Sequence, residues 1–270
     1  MKKFKVGLQL YSVRSEIEKD LVGTLKAVKA MGYDYIESAG AGFYGLSADE
    51  AKALLEEIGL SLISVHSVDC SDENLAFCRA LGLKNFTIPY YSPVYFQEWE
   101  KSMEYFKDCA AKVQKYGMRL FYHNHDFEFD KIGDEKIIDK LYTELSGDVI
   151  APQFDVCWVT YGGSVPAEYI RKYADKKMTM THLKDFTCKG AVKGAVYDLI
   201  ENGSVKKSRD ENLFRFRSVG DGVVDFASVL AACEDAGVDY VIVEQDQSYE
   251  TPCLEAVKKS RIYLKETFGI

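Results

Sequence analysis

The chain has no apolar run near the ~20 residues that span a membrane, no surplus of positive charge, no C-x-x-C pair and only four histidines in 270 residues. Each shortage excludes something. A formal net charge of −8 and a pI near 5.2 argue against nucleic acid as a partner, because gripping a phosphate backbone needs a basic surface. The seven cysteines form an odd, unpatterned set, which reads as reduced thiols rather than a disulfide framework or a thiolate zinc site. The N-terminal MKKFKVGLQLYSVRSE breaks its apolar run at Gln9 and soon meets Arg14 and Glu16, too early for a secretory signal core. These features predict a cytoplasmic protein with no membrane partner. No G-x-G-x-x-G turn follows the first strand pattern, which weighs against an open dinucleotide-binding sheet.

What is present is a regular alternation. Short β-rich runs at 5–11, 34–39, 61–67, 84–90, 118–125, 149–156, 177–185 and 239–246 are separated by amphipathic helical patterns. Residues 97–117 carry Trp99, Met103, Phe106, Ala110 and Val113 at steps of three and four, and 134–146 repeat the pattern with Ile137, Ile138, Leu141, Tyr142 and Leu145. Ser47 and Glu50 have the spacing of a capping box. Gly32, Gly59, Gly82, Gly117, Gly147 and Gly237 each follow a helical run, where a left-handed helix end favours glycine. With 47% hydrophobic residues to build a core and no antiparallel hairpin signal, the expected α/β architecture is a single (β/α)8 barrel over 1–270. The interval before the last strand is twice the usual length. Its excess, about 187–217, predicts an insertion between strand seven and helix seven that acts as a lid or as a contact between copies in a homo-oligomer.

All four histidines fall at the C-terminal ends of predicted strands: His66, His123, His125 and His182. In such a barrel those ends converge on the mouth that carries active sites. Asp155, Glu244 and Glu37 end three further strands. Side chains alternate along a strand, so His123 shares a face with His125, His182 with Lys184, and Glu244 with Asp246. If those faces point inward, four consecutive strands deliver His123, Asp155, His182 and Glu244. Two imidazoles and two carboxylates suit one borderline divalent ion, Mn²⁺, Zn²⁺, Co²⁺ or Fe²⁺, better than Mg²⁺. An ion holding a carbonyl and a neighbouring hydroxyl acidifies the carbon between them and stabilises the enediolate formed on deprotonation. Glu244 would move the proton, Lys184 would stabilise negative charge, and His125 would serve as a second acid or base.

The segments GLQLYSVR, YHNHDFEF, FDVCWV, THLKD, VGDGVVDF and VIVEQD resemble the xylose isomerase-like superfamily of sugar phosphate isomerases and epimerases across nearly the whole chain. Relatives there include ketose 3-epimerases, inosose dehydratases, hydroxypyruvate isomerases and the endonuclease IV branch. The resemblance implies a (β/α)8 barrel and one divalent metal, commonly manganese, on His123, Asp155, His182 and Glu244. It also implies a metal-dependent isomerase or epimerase acting on a small carbohydrate. Two departures bear on this. The epimerases carry glutamate at the position of His123, and losing it removes one of two carboxylate bases. They carry histidine at the position of Trp158, where tryptophan suggests stacking on a sugar face. Both changes point toward lyases, inosose dehydratase-like or eliminating 3-keto-glycosides. A nuclease and a non-catalytic sugar-binding barrel are the remaining readings.

Glu37 and His66 are further candidates for the sugar wall, as is Arg217 in the insertion. Lys184 and Asp185 have an ion pair, with each other or a neighbour, as their structural alternative. Asp221 and Asp225 around Gly220-Asp221-Gly222 make that turn a poor phosphate cradle, which favours an unphosphorylated substrate.

Overall fold

The computed structural model describes residues 2–189 and 213–270. Eight parallel strands form the wall: β1 (Lys5–Gln9), β2 (Tyr35–Ala39), β3 (Ser61–His66), β4 (Asn85–Ile88), β5 (Arg119–His123), β6 (Ala151–Gln153), β7 (Met180–Leu183) and β8 (Tyr240–Val243). Their order in the sheet is β6-β5-β4-β3-β2-β1-β8-β7, so only β6 and β7 lack a ladder between them. That seam is bridged just above the strand ends. The amide of His182 donates to the carbonyl of Phe154 at 2.8 Å, and Asp155 and His182 form an isolated parallel bridge. Each observed strand lies within its expected run and stops short of it by up to three residues, because the last residues of each run turn into the loops of the mouth.

The helices form where their stripes can be buried. In Trp99–Lys115, Met103, Phe106, Ala110 and Val113 face the strands, and the Phe106 ring sits 5.3 Å from Tyr122. Burying each of the larger side chains contributes roughly 1.5–3 kcal/mol. The capping box opens Ala48–Ile58: Ser47 Oγ accepts the Glu50 amide at 3.3 Å while Glu50 Oε2 accepts the Ser47 amide at 2.9 Å. Inside the barrel, Ile63, Phe121, Ala151, Met180 and Ile242 form a separate apolar plug below the mouth.

Three expectations need correction. Gly147 does not adopt a left-handed conformation, as the other five do; a Cβ there would stand 2.6 Å from the Lys176 backbone, so close approach demands the glycine. Residues 134–136 do not begin a helix. Lys131–Ile132 and Glu135–Lys136 form a small hairpin turned at Gly133 (φ +65°), and the helix spans Ile137–Glu144. A second antiparallel ribbon pairs Asp185–Thr187 with Arg215–Arg217, the two flanks of the expected insertion. Residues 190–212 of that insertion, and with them its role as lid or contact, lie outside the described residues.

Candidate metal centre

Above the apolar plug the barrel interior turns polar. Gln9, Glu37, His66, His123, Gln153, His182 and Glu244, from seven of the eight strands or their ends, are all buried and tied together. Glu37 lies at the centre: Oε2 accepts Gln9 Nε2 at 2.9 Å and faces His182 Nε2 at 2.7 Å and His66 Nε2 at 3.0 Å, while Oε1 accepts Gln153 Nε2 at 2.8 Å. Burial alone would raise its pKa, but the imidazoles of His66 and His182 outweigh this and hold it well below the carboxylate range.

His123, Asp155, His182 and Glu244 each offer one ligand atom, and those atoms lie within 4.8 Å of one another. Atoms on opposite sides of an ion at ~2.0–2.2 Å stand up to about 4.4 Å apart, so shifts of a few tenths of an ångström would close the set on one cation. Asp155 does two jobs. Oδ1 caps the helix Val156–Tyr161 by accepting the Cys157 and Trp158 amides, leaving Oδ2 to face the cluster 3.5 Å from His123 Nε2. His182 Nδ1 is 2.8 Å from Glu244 Oε2. Lys184 Nζ stands 3.0 Å from both Asp155 Oδ2 and Glu244 Oε2 and 3.1 Å from Asp246 Oδ1. Three carboxylates around one ammonium leave a formal charge of −2, the amount a divalent ion neutralises. The donor set therefore fits such an ion.

Burial and neighbouring charge set the four donors apart: burial raises the Asp155 carboxyl against the pull of Lys184. Burial pulls the His123 pKa down, with His182 and His66 adding to it, so the ring is neutral and able to ligate. Burial also lowers His182, but Glu37 and Glu244 overcome this and lift it to about 10. Burial would raise Glu244, yet Lys184 and His182 hold it well below the usual range. Burial dominates at Asp246, pushed up to about 6.

Over the cluster opens a cavity of about 790 Å³. Residues 25–267 match the family model of the xylose isomerase-like TIM barrel. The chain belongs to that family. It is 28% identical over 151 residues to inosose dehydratase of Geobacillus kaustophilus, covering 56% of this chain and 46% of the relative. It thus spans about half the length of the curated relatives it matches. Two solved structures share its fold. A sugar phosphate isomerase/epimerase from Parabacteroides distasonis aligns at TM-score 0.75 and 20% identity, over 98% of this chain and 94% of that one. The IolI protein, solved with a bound zinc, aligns at 0.70 and 15%, over 97% of both chains.

In this xylose isomerase-like barrel His66, His125, Trp158, Lys184 and Glu244 line the cavity. Trp158 lies parallel to Phe214 at 5.7 Å, with Lys184 Nζ 5.3 Å from its ring centre. Glu37 is fully buried beneath the cavity instead of on its wall. Arg217 points away: its Nε donates to Thr187 Oγ1 at 3.1 Å and its guanidinium pairs with Glu250 at 3.0 Å. Strand alternation gives the wall position to Phe216. Lys184 pairs with Asp155, Glu244 and Asp246 and not with Asp185. The Asp185 carboxylate instead accepts the amides of Phe186, Gly220, Gly222 and Val224 at 2.8–3.2 Å. The turn at 220–224 is therefore an anion cradle after all, filled by the protein's own carboxylate.

Sequence reasoning missed Gln9 and Gln153, although a lone amide near the end of a buried strand is the same signal that exposed the histidines. It also missed Glu128, which accepts the Tyr122 hydroxyl and, at 2.8 Å, the His125 amide. Glu128 follows His125 by three residues, a spacing that allows one turn of chain to fold back. Tyr11, Arg14, Tyr90 and Asp246 complete the rim.

Proposed function

We propose that this barrel abstracts a proton from the carbon beside a carbonyl of a carbohydrate, as a divalent-metal-dependent isomerase or epimerase-type enzyme. The observation that carries the reading is the position of Glu244, a buried carboxylate that belongs both to the cation cluster and to the cavity wall. A cation held by His123, Asp155, His182 and Glu244, manganese or zinc by donor chemistry, would polarise the substrate carbonyl and stabilise the charge that forms on deprotonation. Glu244, kept ionised by Lys184, accepts the proton. Lys184 places a buried positive charge beside the developing oxyanion. His125, held neutral by burial and the nearby Lys184, stands on the same wall as a second proton carrier. Trp158 and His66 flank the sugar, and the self-filled cradle at 220–224 favours an unphosphorylated one.

Elimination is the second reading, and a specific observation favours it. His123 leaves Glu244 as the one carboxylate of the four clustered residues that lines the cavity, whereas removing and returning a proton on opposite faces through metal-bound carboxylates calls for two. The relatives named inosose dehydratase support the same direction. Incubation of metal-loaded protein with keto-sugars and keto-cyclitols in D2O tests both. Deuterium at one carbon of an isomeric product supports isomerisation; loss of water or an aglycone supports elimination. Equal exchange in Glu244→Gln would overturn the assignment of the base.

A further inference from the structure

We infer that Glu37 is a positioning residue that sets opposite tautomers on the two ligand histidines, so that the cation is taken by His182 through Nδ1 and by His123 through Nε2. The inference rests on the metal site proposed above. An ionised carboxylate can only accept hydrogen bonds, so every group against Glu37 must donate. His182 Nε2, at 2.7 Å, therefore carries a proton, and Nδ1 is the nitrogen turned to Glu244 and the cluster.

The second branch runs through Gln153. An amide side chain is ambiguous until its neighbours decide which end is nitrogen. Glu37 Oε1 decides it by accepting Gln153 Nε2 at 2.8 Å. The amide oxygen must then face the histidines, 2.8 Å from His66 Nε2 and 3.3 Å from His123 Nδ1. It accepts from His123, which puts the proton on Nδ1 and leaves the lone pair on Nε2. That lone pair looks toward two acceptors, Asp155 Oδ2 at 3.5 Å and Glu244 Oε2 at 4.0 Å, beyond hydrogen-bond reach of either. Lys184 already balances those two oxygens from one side, and a cation between them and Nε2 would complete the arrangement from the other.

Carboxylates behind ligating histidines are common and typically affect metal affinity 10–100-fold. Here one carboxylate, fully buried, governs two ligands with opposite outcomes, one directly and one through an amide.

The test uses the full-length protein labelled with ¹⁵N-histidine and loaded with Zn²⁺, read by long-range ¹H–¹⁵N correlation. The expected spectrum has a protonated Nε2 on His182 and a protonated Nδ1 on His123, with the other nitrogen of each shifted by the metal. Glu37→Gln should weaken Zn²⁺ binding 10–100-fold in chelator competition and mix the His182 tautomers. Gln153→Met should mix the His123 tautomers while leaving the proton on His182 Nε2, which Glu37 meets directly. Coordination through His182 Nε2 or His123 Nδ1 would overturn the inference while leaving the metal site standing. Zn²⁺ bound by neither histidine would overturn the site itself. If Glu37→Gln fails to fold, the unmodified protein's spectrum and Gln153→Met still decide.

Discussion

Replacing Lys184 by methionine should expose the electrostatic cost of the mouth. The ammonium is 2% exposed and touches three carboxylates within 3.2 Å, those of Asp155, Glu244 and Asp246. Methionine keeps most of the volume and the contact with Trp158 but removes the charge, leaving the carboxylates facing one another out of water. Breaking one partner from a buried pair costs about 3–5 kcal/mol. In a protein of this size that lowers the melting midpoint by on the order of 10 °C. Divalent cation should restore much of the loss, because an ion at a hundredfold excess over its Kd adds about 2.7 kcal/mol. The unmodified protein should gain less, since there the ion competes with an ammonium already in place. Thermal melts of both proteins, in chelator and then with Mn²⁺ or Zn²⁺, measure all four quantities. If the variant melts within a degree of the parent in chelator, or gains no more from the cation, the reading of Lys184 as the resident counter-charge is wrong.

Glu128 gives a pH prediction. Burial pushes its carboxyl up to about 8, so between about 4.5 and 8 the folded protein keeps a proton that the unfolded chain has lost. Its contribution to stability is therefore fully present below pH 4.5 and declines as the pH rises toward 8; Glu128→Gln should flatten urea midpoints across that window, and unchanged slopes would count against it. Asp185→Ala strips the acceptor from four amides and should cost roughly 2–4 kcal/mol, with faster amide exchange at 220–224. Gly222→Ala should mimic it, because the added Cβ would stand 2.1 Å from Asp185 Oδ1. Cation loading should release close to one proton at pH 7, since His182, lifted to about 10, must give up its Nδ1 proton to ligate; calorimetry in two buffers of different ionisation enthalpy reads this directly.

The barrel and the meeting of His123, Asp155, His182 and Glu244 at its mouth were legible for one physical reason. Strand alternation has a period of two, so a histidine or carboxylate ending a buried strand has its direction decided by its neighbours. His123 and His182 follow from that rule; Glu244 lies one residue past its strand, and Asp155 two residues past Gln153 on the same parity. Depth along the strand was not legible. Glu37 and His66 obey the same parity, yet Glu37 lies a layer lower, where it meets other side chains rather than a ligand. Arg217 failed because the length of the insertion hides the register that turns Phe216 inward. Asp185 was misread because three of its four partners are amides 35 to 39 residues away, and backbone donors leave no mark in side-chain chemistry. Gly147 shows the same blindness: tight packing and a left-handed turn both ask for glycine.

The unladdered seam between β6 and β7 has a consequence for how this protein opens. Along most of the wall neighbouring strands are joined by repeating backbone hydrogen bonds, although β3 and β4 register at His66 and Thr87 alone. At the seam the two edges meet through Phe154, Asp155 and His182, so the residues that would grip the cation are also the ones that zip the cylinder shut. A bound ion would then act as a rivet across that joint, and its departure would leave the joint to the backbone bridge alone.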